Sequence, residues 1–138
     1  MRKVINLTVA TDIEGRGGVS TVLRGYRDSG FFDRHNVRLV STHSSNVRFG
    51  IVGSIILFLA ALVKISLYGL FYKIGLVHVH MASRGSFSRK LIVARLAKIF
   101  GCKVVLHLHG AEFREFYTNE CSARKKARIR DLFESVDC

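Results

Sequence analysis

Four short runs rich in β-branched and apolar residues, at 3–10, 36–41, 76–80 and 103–108, alternate with longer segments of helical periodicity, and this alternation constrains the fold most. After the first run come the loop TDIEGRGG and then VSTVLRGYRDS, where Val19, Val22, Leu23 and Tyr26 recur at i, i+3, i+4 and i+7. That is a strand, a glycine loop and an amphipathic helix. Residues 86–100 keep Ile92, Leu96 and Ile99 on one helical face, with Lys90 and Lys98 off it, and residues 122–134 gather Ile129, Leu132 and Phe133 away from Arg124 and Arg128. Strands alternating with helices imply right-handed β-α-β units and a parallel sheet. The expected architecture is α/β: an open parallel sheet of about four strands in the order 2-1-3-4, with helices on both faces. Ligands of such a sheet bind outside the carboxyl ends of the strands, at the switch point, where the glycine loop and the MASRGS segment would both open. Residues 135–138 read as the beginning of a fifth strand, so the chain is expected to be a fragment.

The segment FGIVGSIILFLAALVKISLYGLFY, residues 49–72, breaks the amphipathic pattern, since Lys64 is its one charge and it has no polar face. A crossover helix needs a single buried face, so the second apolar face must meet lipid, a partner or another domain. As a helix it would be about 36 Å long, enough to cross a bilayer. The flanking strands must share one sheet, however, which favours a helix lying on a membrane over one spanning it. The 138 residues carry 22 Lys plus Arg against 10 Asp plus Glu, a formal charge of +12, and this favours polyanionic partners: anionic lipid, phosphorylated small molecules or nucleic acid. Nucleic acid fits least well, because aromatic and basic residues are not interleaved and a long apolar helix would be out of place. The start lacks a secretory signal, and Cys102, Cys121 and Cys138 are odd in number without C-x-x-C spacing. Both observations point to reduced thiols in the cytoplasm, with Cys102 a buried small hydrophobe.

Candidate chemistry concentrates in VHVHMASRGSFSRK (77–90) and VVLHLHG (104–110). Each puts two histidines two residues apart, hence on one side of its strand. Ligands so spaced on parallel strands do not converge naturally on a tetrahedron, and no Asp or Glu lies between them, so no metal is expected. His78 and His107 read as core histidines, and His80 and His109, at the strand ends, as crevice residues. Arg84, Arg89 and Lys90 surround a helix start, an electropositive place that ordinarily takes acidic side chains. With Ser83 or Ser86 as cap, the free N–H groups and this basic cluster would suit a phosphate. In EGRGGVS, Gly17 and Gly18 let backbone N–H groups approach an anion, although neither the dinucleotide fingerprint nor a P-loop is present.

HVHMASRGSFSRK, VVLHLHGAEFREFY and GRGGVSTVL together resemble the N-terminal half of bacterial family-four-type glycosyltransferases of GT-B fold. The resemblance covers essentially the whole chain, residues 1–138. It implies a Rossmann-like, acceptor-binding half of a retaining enzyme of surface-polysaccharide synthesis. The acceptor would be a glycan, often a lipid-linked sugar diphosphate at the inner membrane surface, and no metal or other cofactor would be required. The nucleotide-sugar donor would be bound by a C-terminal half that this chain lacks, so the chain alone is expected to be inactive unless a separate donor-binding domain completes it. Carried across, Gly17 and Gly18 would face the donor phosphates, His109 would contact the reacting sugar and Glu112 would lie beside the acceptor. His80, Arg84, Ser86, Arg89 and Lys90 would meet the acceptor. The alternative is a non-catalytic module gripping an anionic ligand or a membrane surface.

Overall fold

A computed structural model describes residues 1–44, 50–110 and 112–138. Its elements run β1 (Val4–Ala10), α1 (Gly18–Asp28), α2 (Phe31–Arg34), β2 (Val37–Ser41), α3 (Gly50–Phe71), β3 (Lys73–Met81), α4 (Gly85–Ile99), β4 (Lys103–Leu108), α5 (Phe113–Glu115), a π-helical turn (Phe116–Glu120) and α6 (Ala123–Ser135). The four strands form one parallel sheet in the order β2-β1-β3-β4, a Rossmann-like α/β arrangement. The expected order is therefore found.

Alternation along the strands divides the sheet into two unlike faces. Leu7, Val9, Val77, Val79, Met81 and Val104 are fully buried in one core with Ala61 and Ile65 of α3 and with Phe87, Val93, Ala94 and Ala97 of α4. The opposite face of β3 carries His78 and His80, and Tyr26 of α1 lies over both rings at 6.4 and 6.2 Å.

Strand β3 begins three residues before the expected start, because the chain pairs through an irregularity. Ile5 faces Ile74, the register shifts, and Leu7 faces Val77. Gly75 sits at the shift, where an added Cβ would lie 3.0 Å from Asn6 Oδ1. A glycine interrupts the β-branched run and hides the strand start from its pattern. Helix α2 occupies what reads as a polar turn, and residues 113–120 fold into helical turns that the sequence pattern does not announce.

Helix α3 buries only a narrow stripe, Gly53, Ala61 and Ile65, while Ile51, Val52, Ile55, Ile56, Leu59, Val63, Leu67, Leu70 and Phe71 are exposed. By length and composition it could cross a membrane, yet its buried stripe packs with the sheet core. Phe49, which opens the apolar run in the sequence, lies outside the described residues. After α6, Asp137 N donates to Val104 O at 2.8 Å and Leu106 N donates to Cys138 O at 2.7 Å, so the chain runs along the free edge of β4. Cys102 is buried, and burial raises its thiol pKa.

Candidate functional site

The carboxyl ends of the strands gather three groups of side chains. The first is a ladder of imidazoles. His80 of β3 is directly paired with His107 of β4, and the next same-side position beyond β4 is His109, whose backbone N–H donates to Met81 O at 2.7 Å. His78 and His107 stack at 5.5 Å with planes 15° apart, and His107 and His109 at 4.1 Å and 21°. His80 Nδ1 and His109 Nε2 are 2.6 Å apart, a hydrogen bond whose direction is set by the tautomers. His80 is 2% exposed, and its Nε2 is buried without a hydrogen-bond partner among the described residues. Burial first, then the neighbouring imidazoles, holds the pKa of His78 down at about 4 and that of His80 at about 3. His109 is lowered by the same two causes, burial before His107.

This ladder departs from expectation in two ways. His80 lies buried beneath the crevice instead of lining it. And convergence, which the spacing argued against, does occur: His78, His80 and His107 each offer a ring nitrogen, and these atoms all lie within 4.8 Å of one another. Parallel pairing places His80 beside His107 on one face, so two strands supply what one cannot.

The second group answers the question of the basic helix start. Arg84 is the N-cap of α4, with φ 56° and ψ −122°, a sparsely populated backbone region for a non-glycine residue. Its guanidinium donates to Glu120 through Nε (3.0 Å) and Nη2 (2.6 Å), and to Glu112 through Nη1 (2.8 Å). Hydrogen bonds donated to Glu120, then to Glu112, raise the arginine pKa, and the same pairing lowers that of Glu120. The charge expected to await a phosphate is thus already met by two carboxylates, and Glu112 lies against Arg84. Neither Ser83 nor Ser86 caps the helix through its side chain; Ser86 Oγ instead accepts from Ala82 N at 3.1 Å and closes the β3–α4 turn. Lys90 is also withdrawn from the surface. It is 3% exposed, and Nζ donates to Ala10 O at 3.3 Å and to Thr42 Oγ1.

The third group is an open groove of about 660 Å³ lined by His43, Ser44, Arg89 and the start of α3: Gly50, Ile51, Ser54, Ile55 and Phe58. Arg89 Nε and His43 Nδ1 are buried, and neither has a hydrogen-bond partner among the described residues. Burial lowers both pKa values, with Arg89 and Lys90 adding to the effect at His43. Of the basic cluster, Arg89 is the residue that lines this groove.

Gly17 and Gly18 open α1 after β1, and Gly17 has φ 121°, a conformation in which a side chain would be strained. Helix α1 has neither a side-chain cap nor an acidic residue in its first turn. Its N-terminal N–H groups therefore stay available to an anion. Glu120, His43 and Thr42 were beyond the reach of sequence reasoning, because each acquires its role from a partner 36 to 48 positions away.

No protein-family model, curated protein or solved structure matches this chain.

Proposed function

We propose that the chain is the acceptor-binding half of a retaining glycosyltransferase, working at a membrane surface on an acceptor with an anionic head and an apolar tail. The observation that carries this reading is the groove at Arg89. One wall holds a cation and an imidazole with unpartnered nitrogens, and the other is the apolar start of α3, whose exposed face continues away from the groove. Such a groove matches a lipid phosphate or diphosphate, with Arg89 making charge-assisted hydrogen bonds to it. Two of the three segments that resemble the glycosyltransferases also meet: His80 touches His109, and Arg84 touches Glu112.

In this reading His109 is neutral at neutral pH, its Nε2 is held by His80, and Nδ1 is left to hydrogen-bond a sugar hydroxyl. The Arg84–Glu112–Glu120 cluster ties the β3–α4 turn to the segment that follows that imidazole. Stabilisation of the departing nucleotide diphosphate needs a second wall, supplied by a donor-binding domain and aided by the free N–H groups at Gly17 and Gly18. The exposed face of α3 equally favours a second reading, a membrane-binding module without catalysis.

Two measurements test the proposal. Arg89→Ala should weaken binding of a lipid-diphosphate analogue in mixed micelles by about 1.5–3 kcal/mol, the usual worth of a hydrogen bond to a charged group. Unchanged affinity refutes the groove assignment. A related donor-binding half added in trans should give transfer from a radiolabelled nucleotide sugar, abolished by His109→Ala; binding without transfer selects the non-catalytic reading.

A further inference from the structure

The imidazole ladder contains a buried nitrogen that has no hydrogen-bond partner among the described residues, and the packing around it narrows the reasons for it. His80 has two ring nitrogens: Nδ1 meets His109 Nε2 at 2.6 Å, and Nε2 is buried and unpartnered. If the ladder existed only to fill space, that polar atom would be a cost with no return, since an apolar ring would pack there without it. A lone pair kept dry next to two further imidazoles has a different use. The nitrogens of His78, His80 and His107 lie within 4.8 Å of one another. In a tetrahedral site with bonds of 2.0–2.1 Å, ligand nitrogens stand about 3.3 Å apart. The contraction required is at most about 1.5 Å, within reach of imidazole χ2 torsions, whose wells are broad.

We propose that His78, His80 and His107 form a binding site for a divalent transition-metal ion of the zinc class, with His80 ligating through Nε2 and His109 fixing the orientation of its ring. The His80–His109 contact then has the form usual for a metal-bound histidine, whose second ring N–H is donated to an acceptor: Nδ1–H of His80 donates to Nε2 of His109. His109 is a positioning residue in this arrangement. Three neutral imidazoles leave the ion its full charge and an open coordination position, which favours water, hydroxide or an anionic oxygen as the fourth ligand. His78 and His107 are only half-buried, so an ion has a route in. The inference is independent of the glycosyltransferase reading, because it rests on the sheet face alone.

The experiment is a titration of the full chain, stripped with chelator and held in mild detergent, with Co2+ and separately with Zn2+. The expected result is one ion per chain, with a Co2+ visible spectrum of a low-coordinate nitrogen site and no thiolate charge-transfer band. His78→Gln and His107→Gln should each weaken binding by about 100-fold or more, and His109→Ala by about 10- to 100-fold with a shifted Co2+ spectrum. His35→Gln, on an exposed histidine away from the ladder, should change nothing. Circular dichroism verifies that each variant is folded. The absence of binding at micromolar metal overturns the proposal, and so do a thiolate band, an octahedral spectrum, or undiminished binding in the folded His78→Gln/His107→Gln double variant. The wild-type spectrum decides the matter even if a variant does not fold.

Discussion

Lys90 offers the sharpest test of the packing beneath the crevice. The residue is 3% exposed, and its ammonium donates to two neutral oxygens, Ala10 O and Thr42 Oγ1, with no carboxylate partner among the described residues. Burial, and to a lesser degree Arg89, brings its pKa from 10.5 down to about 7. That displacement corresponds to about 5 kcal/mol of differential stability between the two protonation states. The unfolded chain keeps the proton until about pH 10.5, whereas the folded chain releases it near 7. Between those values the unfolded state binds more protons, so stability rises with pH, at most by about 1.4 kcal/mol per unit; below pH 7 the full penalty stands. Arg89 stays charged across this window, and the nearby His43 and His80 have lowered pKa values and are already neutral. Lys90→Met keeps the length of the side chain and removes the titration. The lost hydrogen bonds leave little unsatisfied, because Ala10 O still accepts from Thr42 N at 2.9 Å and from Thr42 Oγ1 at 3.0 Å. The variant should be the more stable chain at pH 7, by on the order of 2 kcal/mol once those bonds are discounted, and the advantage should vanish or reverse by pH 10. Urea unfolding of both chains at pH 7, 8, 9 and 10 measures the difference, in which other titrations cancel. A difference independent of pH would refute the reasoning and mean that the amine stays solvated in the folded chain.

Further outcomes follow from other parts of the molecule. The chain should float with anionic vesicles, and Ile51→Glu with Ile55→Glu should reduce that binding at least tenfold, since each exposed isoleucine contributes about 1.5–3 kcal/mol when buried; recovery of monomer in the soluble fraction at low salt without detergent would contradict it. Gly69→Ala should destabilise the fold by about 1–3 kcal/mol in the same urea assay, because an added Cβ would stand 2.6 Å from the Phe100 ring, between the ends of α3 and α4. Arg84→Ala should leave lipid-diphosphate affinity almost unchanged while Arg89→Ala lowers it, since Arg84 is already paired with two carboxylates; equal losses would return both residues to the phosphate site.

The sheet order and the four strands were legible because period-2 and period-3.6 patterns alternate, but the buried face of α4 was not: the helix buries Phe87, Lys90, Leu91, Val93, Ala94 and Ala97, whereas Ile92 and Ile99, expected on its apolar face, are exposed, because the sheet core takes the face that Phe87, Leu91 and Ala94 share. The start of β3 was not, since Gly75 interrupts its run where the register shifts. Residues 113–120 were not, because FREFYTNE carries neither a cap signal nor a sustained apolar face, and its order comes from Phe113 and Phe116 entering the core. The site was legible as a place but not as a set of contacts. HVHM and HLHG identify the strand ends that meet, yet the sequence has no means of showing that Glu120 neutralises Arg84 or that Thr42 captures Lys90. Three neighbouring positive charges read as one anion site; the fold gives each of them a different fate.

Those fates bear on how charge and apolar surface are combined. A helix start with Arg84, Arg89 and Lys90 opposes the macrodipole if all three remain solvated cations near it. Arg84 escapes by pairing with Glu112 and Glu120, and Lys90 by surrendering its proton near neutrality. Arg89 has neither remedy among the described residues, and half-buried beside the apolar start of α3 it has lost part of its water as well. The uncompensated cation is therefore the one next to the exposed apolar helix, where an anion with an apolar tail would satisfy both surfaces together: the charge would regain hydrogen bonds, and Ile51 and Ile55 would leave water. A soluble phosphate would satisfy only the first and a neutral lipid only the second. In the proposed reading, the adjacency of Arg89 and α3, with His43 beside them, would discriminate between these ligands.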